Sequence, residues 1–120
     1  MRVGDYAETK RAFSLIDLQN YTRLSDHEIL DEQVPEPLIG ALFSYLLGVK
    51  LPGLGTHYLK QETRYKADAA IGDVLTARVE ITRIRADKQL VDLETSCRHS
   101  DDRVVAIGRA LVYVGDLITQ

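Results

Sequence analysis

Hydrophobic and polar positions change rhythm near residue 55. Before it, apolar residues recur every three or four positions; after it, they alternate with polar ones. Residues 6–13 can run extended, and Leu15, Leu18, Tyr21 and Leu24 then follow at helical spacing. Ser14 with Asp17 three residues on is a helix-start signal, because each side chain can accept the other residue's free backbone N–H. Residues 25–33 are polar and acidic without a sustained period, and read as a loop or a ragged turn of helix. A second helix is predicted over 37–47, where Leu38, Ile39, Leu42, Phe43, Leu46 and Leu47 make a wide apolar stripe. Pro37 suits its first turn and Gly48 its stop. A helix this apolar must be covered on most sides, by a sheet wrapped around it or by a partner subunit.

The alternating half predicts a run of strands. Residues 56–66 form the first, and 71–73 turn into a long strand whose Leu75, Ala77, Val79 and Ile81 share one face. Ile84 is out of phase with that set, and a bulge near Thr82 or Arg83 would return it to the core face. Residues 86–89 close a hairpin onto 90–99, with Val91, Leu93, Thr95 and Cys97 inward and Asp92, Glu94 and Arg98 toward water. After a turn at 100–102, the strand 104–114 places Val105 and Ile107 on one phase and Ala110, Val112 and Val114 on the other, with Gly108 as the expected bulge. The order is that of a single α+β domain over residues 1–120.

Composition narrows the function classes. A chain of 120 residues fits one domain that buries roughly two-thirds of its unfolded surface. Hydrophobic residues at 45% with charged ones at 28% match a folded, soluble protein rather than a disordered one. The 15 basic residues are scattered among 18 acidic ones, so no basic stripe offers a nucleic-acid surface. No apolar run reaches the roughly 20 residues of a membrane span. Residues 1–10 do not resemble a signal peptide, and one cysteine, Cys97, cannot form an internal disulfide, which together suit the cytoplasm.

Beyond these bounds a resemblance carries the reading. Leu42-Phe43-Ser44-Tyr45-Leu46-Leu47-Gly48, then Leu51-Pro52-Gly53-Leu54-Gly55-Thr56, Tyr58-Leu59-Lys60-Gln61, and Ile71-Gly72-Asp73 through Val79 follow one another as in the MaoC-like, (R)-specific enoyl-CoA hydratases. Val3-Gly4-Asp5 resembles that family's opening and Ala106-Ile107-Gly108-Arg109-Ala110 its last strand. The resemblance implies a hotdog fold, an antiparallel sheet wrapped around the 37–47 helix, and a homodimer or a heterodimer with another hotdog subunit. It further implies a hydro-lyase that interconverts 2-enoyl and (R)-3-hydroxyacyl thioesters of CoA or acyl carrier protein, with no cofactor. Two alternatives stay open: a non-catalytic thioester-binding subunit paired with an active partner, and a hotdog thioesterase.

In the resembling family an Asp and a His manage the water, and an amide at the helix start polarises the thioester carbonyl. Here Ser25-Asp26 is followed by His27-Glu28-Ile29-Leu30 rather than Asn-Pro-x-His, and the loop to Val34 is roughly a dozen residues shorter than the family pattern. Counting back from Pro52-Gly53 without gaps puts Pro35-Glu36 where the family has His-Gly. The candidate catalytic residues are therefore Asp26, His27 and Glu36. The candidate substrate-binding residues are Glu36, Leu38, Pro52, Gly53 and Gly55, along the helix and the connector that borders the thioester tunnel.

Each candidate also has a structural role open to it. Asp26 suits a helix cap or turn, His27 an exposed loop, and Glu36 a helix N-terminus where the dipole favours a carboxylate. Glu28, Asp31 and Glu32 read as a solvated acidic loop. Gly53 and Gly55 lack the Walker lysine and the dinucleotide spacing, so a tight turn is the reading. His57 and His99 sit at strand ends with no ligand spacing around them, so no metal site is expected. Cys97 alternates with inward residues and reads as a small core residue.

Overall fold

A computed structural model of the chain describes residues 1–25, 33–53 and 55–115. Five strands, β1 (Tyr6–Ala12), β2 (Thr56–Tyr65), β3 (Val74–Arg85), β4 (Leu90–His99) and β5 (Val104–Val114), form one sheet in the order β1-β3-β4-β5-β2. Every neighbouring pair is antiparallel. Helix α1 (Leu15–Ser25) follows β1, and helix α2 (Glu36–Tyr45) lies against the inner face of the sheet. This is the expected α+β hotdog architecture.

Local chemistry sets the element ends. Ser14 N–H donates to Asp17 Oδ2 at 2.7 Å and Asp17 N–H donates to Ser14 Oγ at 3.2 Å, so the two residues cap α1 reciprocally. The backbone N–H and hydroxyl of Ser14, with Arg11 adding its charge, hold the Asp17 carboxyl below its ordinary value. Leu18 is buried, whereas Leu15 is exposed, so the apolar stripe of α1 is narrower than its spacing predicts.

Helix α2 runs longer than the expected 37–47. Gly48 does not stop it; a π-helical turn (Leu46–Lys50) carries it on, closed by Leu51 N–H on Leu46 O at 2.8 Å and Gly53 N–H on Leu47 O at 3.0 Å. The stop comes where Gly53 and Gly55 adopt φ of +92° and +87°, a region open to glycine at little steric cost. Ile39, Leu42, Phe43, Leu46 and Leu47 are buried against Leu75, Ala77, Val79, Ile81, Leu93, Ala110 and Val112 of the sheet. Burying each large apolar side chain contributes about 1.5–3 kcal/mol, which is what seats the helix.

The expected bulge in β3 is present: the register against β4 shifts between Ile81 and Arg83, and Ile84 returns to pack on the core. In β5 the expectation needs correction. Gly108 stays in regular register between Thr63 and Thr95, and the irregularity lies at Val105, where Cys97 pairs Ala106 but Arg98 pairs Val104. The extra residue lets Val105 and Ala106 both be buried and turns Ile107 outward, to a half-exposed position. Gly108 answers a different need: a Cβ there would overlap the backbone of Glu62 and Thr63 in β2.

Candidate functional site

The site is built around the start of α2. Val34 is buried and Pro35 takes φ −60°, ψ 140°, which leads an extended chain into the helix at Glu36. Pro37 has no N–H, and Leu38 N–H already donates to Pro35 O at 3.0 Å, so Glu36 supplies the free amide of this first turn. Its carboxylate is exposed, at the end of the helix where the dipole favours negative charge.

Beside it stands Tyr65, the last residue of β2. Its hydroxyl donates to the Glu36 carbonyl oxygen at 3.2 Å. Burial pushes the Tyr65 hydroxyl above its ordinary value, helped by the Glu36 carboxylate and Cys97, so it keeps its proton and acts as a donor. An open groove of about 550 Å³ continues from here between α2 and β2, walled by Pro37, Gly40, Ala41 and Ser44 on the helix and by Gln61, Thr63 and Tyr65 on the strand. A Cβ added at Gly40 would lie 3.7 Å from the Tyr65 hydroxyl, in ordinary van der Waals contact with it. Under it, across β5, Thr95 is fully buried and its Oγ1 has no hydrogen-bond partner among the described residues.

The other candidates lie apart. Leu38 faces the opposite flank of α2, where about 490 Å³ of groove is bounded by Thr9, Lys10, Phe13, Leu42 and Tyr45. Pro52, Gly53 and Gly55 sit beyond the C-terminal end of the helical stretch, roughly 20 Å from Glu36 at about 1.5 Å per residue. Within one chain, Glu36 and the connector therefore do not meet. Asp26 and His27 lie outside the described residues, as do Glu28, Asp31, Glu32 and Leu54. No group of three or more His, Cys, Asp or Glu among the described residues could hold a metal ion. His57 is exposed at the start of β2, whereas His99 is buried at the end of β4. Cys97 is buried in the core, and burial pushes its thiol up to about 11.

Sequence reasoning passed over Gln61, Thr63 and Tyr65 as wall residues. Their signal is the period-two phase of β2, which turns polar or amphipathic side chains toward an apolar helix.

No family model matches the chain. The (R)-specific enoyl-CoA hydratase of Aeromonas caviae is 39% identical over 83 residues, 69% of this chain and 57% of that protein. The solved structure of the (R)-hydratase from A. caviae superimposes with a TM-score of 0.89 at 30% identity, covering 95% of this chain and 97% of that one. The chain belongs to the (R)-specific enoyl-CoA hydratase family. The R-hydratase of Pseudomonas aeruginosa, solved without ligand, matches this member at 26% identity with a TM-score of 0.88, covering 95% of this chain and 82% of that one. In sequence, the chain spans a little over half the length of the curated hydratases it matches, 57% and 53% for those of A. caviae and Rhodospirillum rubrum. The hotdog sheet, α2 and the α2–β2 groove are thus features of a hydratase-family domain. No helix among the described residues is long and apolar enough to cross a membrane.

Proposed function

We propose that the protein is a hydro-lyase acting in the cytoplasm on acyl thioesters of CoA or acyl carrier protein, interconverting 2-enoyl and (R)-3-hydroxyacyl forms. The observation that carries this reading is the match to the A. caviae (R)-hydratase, which is 30% identical and extends over 95% of this chain and 97% of that one. In hydration, water oxygen bonds to the β-carbon while a proton is delivered to the α-carbon. The free Glu36 N–H is suited to polarise the thioester carbonyl, and the Glu36 carboxylate is the candidate to move a proton beside it. Asp26 and His27 are the candidates for the water.

The chain acts as a homodimer in this reading. Among the described residues no strand pairs the outer edge of β2, and Tyr58 and Leu59 on it are 43% and 56% exposed. Antiparallel pairing of two β2 edges about a two-fold axis brings the Thr56 end of one copy to the Tyr65 end of the other. The Pro52–Gly55 connector of each copy then borders the other copy's Glu36, which reunites candidate residues that one chain holds roughly 20 Å apart. Leu38 stays on the far flank in this arrangement.

The test is hydration of crotonyl-CoA, followed by loss of conjugated thioester absorbance with free thiol monitored in parallel, on the wild type, Asp26→Asn and Glu36→Gln. Light scattering on the same samples reports the oligomeric state. Hydration lost in a variant supports the reading and names the residue. Thiol release would point to a thioesterase instead. Binding of acyl-CoA with neither signal would leave a non-catalytic subunit.

A further inference from the structure

We infer that His99 is a positioning residue, whose buried imidazole fastens the β2–β3 loop that seats the start of α2. The inference rests on the proposed role of Glu36. His99 ends β4 and is 6% exposed. Its Nε2 lies 3.2 Å from the carbonyl oxygen of Asp68, and because a carbonyl only accepts, that nitrogen carries the proton in the contact. Its Nδ1 lies 3.5 Å from Asp73 Oδ2, a contact that attracts only when that nitrogen also carries a proton, and the same oxygen accepts a hydrogen bond from Ala70 N–H at 3.0 Å. One ring thus spans the middle and the end of the loop.

The loop's other side receives the chain that enters α2. Val34 N–H donates to Ala69 O at 2.7 Å, Gln33 and Ala70 form an isolated antiparallel bridge, and the Gln33 amide donates to Asp68 Oδ2 at 3.1 Å. Backbone bonds anchor the loop's flanks, Lys66 N–H to Val105 O and Gly72 N–H to Phe13 O. Asp68 to Ala70, the stretch that holds Gln33 and Val34, is held by the imidazole on Asp68, by Asp73 on Ala70 and by the burial of Ala69 in the core. Val34 is followed by Pro35, Glu36 and Pro37, and two prolines with fixed φ pass a displacement on to Glu36 rather than absorb it.

The experiment is residue-resolved amide hydrogen exchange on the full chain, comparing wild type with His99→Phe, His99→Gln and Gln33→Ala. Phenylalanine fills the ring's volume without a donor, glutamine restores one N–H, and Gln33 is exposed, so its variant leaves the core untouched. Val34 N–H is expected to exchange about tenfold faster in His99→Phe and in Gln33→Ala, the equivalent of ~1.4 kcal/mol, and within about threefold of wild type in His99→Gln. Amides of Val79 and Leu93 are expected to be unchanged. In the hydration assay, His99→Phe is expected to lower kcat with KM within about twofold, and His99→Gln to restore it. Unchanged Val34 exchange in His99→Phe, a rise spread evenly over β3, β4 and β5, or a normal kcat alongside faster Val34 exchange would each overturn the inference. An inactive wild type overturns the hydratase reading instead, and the exchange pattern alone then decides this one.

Discussion

Thr95→Val should stabilise the protein, against the usual direction of core substitutions. Thr95 is fully buried on the inner face of β4, between Val79 of β3 and Gly108 of β5, and its Oγ1 has no partner among the described residues. An unsatisfied buried hydroxyl costs about 1–3 kcal/mol in proteins. Valine keeps the volume and the β-branch, so strand propensity and packing survive while the polar atom goes. With ~2.1 cal/mol/K of unfolding entropy per residue, a chain of 120 residues gains roughly 4 °C in Tm per kcal/mol. The expected rise is therefore about 4–12 °C, measured by scanning calorimetry at matched protein concentration because association would also move Tm. A lower Tm would refute the reasoning, since it would mean that the hydroxyl is satisfied. If Thr95 also serves the groove above it, hydration should fall while Tm rises, the trade-off expected of a polar group kept for function.

Two further outcomes concern neighbouring positions of the sheet, Gly108 opposite Thr95 and Cys97 two residues along β4. Gly108→Ala places a Cβ into the backbone of Glu62 and Thr63, so β2 must move outward; a loss of about 1–3 kcal/mol in denaturant titration, with faster exchange of the β2 amides, is expected. Stability should also fall as pH rises from 9 toward about 11, because the unfolded Cys97 thiol loses its proton there while burial keeps the native one protonated. Below pH 9 both states hold that proton and the effect is absent. Cys97→Ala should make that slope shallower, leaving the part that the raised Tyr65 hydroxyl contributes at the upper end, and the native thiol should resist aromatic disulfide reagents at pH 8.

Wherever a single side chain had one apolar destination, the fold was legible in the sequence. The alternation through Leu75, Ala77, Val79 and Ile81 is a direct image of a half-buried strand, and the out-of-phase Ile84 located a bulge because only a register shift lets that isoleucine pack against the core. Gly48 and Gly108 misled for a shared reason. Glycine permits several backbone roles, and the sequence does not say which one a neighbour demands. At Gly48 the chain continued through a π turn, and at Gly108 the demand came from β2, a strand that lies more than forty residues away.

The site was harder to read, because its parts are joined by hydrogen bonds between distant segments rather than by a local pattern. Glu36 could be picked out by gapless counting back from Pro52-Gly53, but Tyr65, whose hydroxyl reaches the Glu36 carbonyl, sits 29 positions away in an edge strand and carries no motif. His99 looked like a strand-end histidine, and only the loop folded against it gives its ring two partners, Asp68 and Asp73. Even correct residues were grouped without regard to geometry. Glu36 and Gly53 flank one helical stretch of about 20 Å, so within one chain they cannot touch the same reacting atoms. The length of α2 thus bears on how a thioester would be held: within one chain, atoms that touch Glu36 and atoms that touch Gly53 lie roughly 20 Å apart.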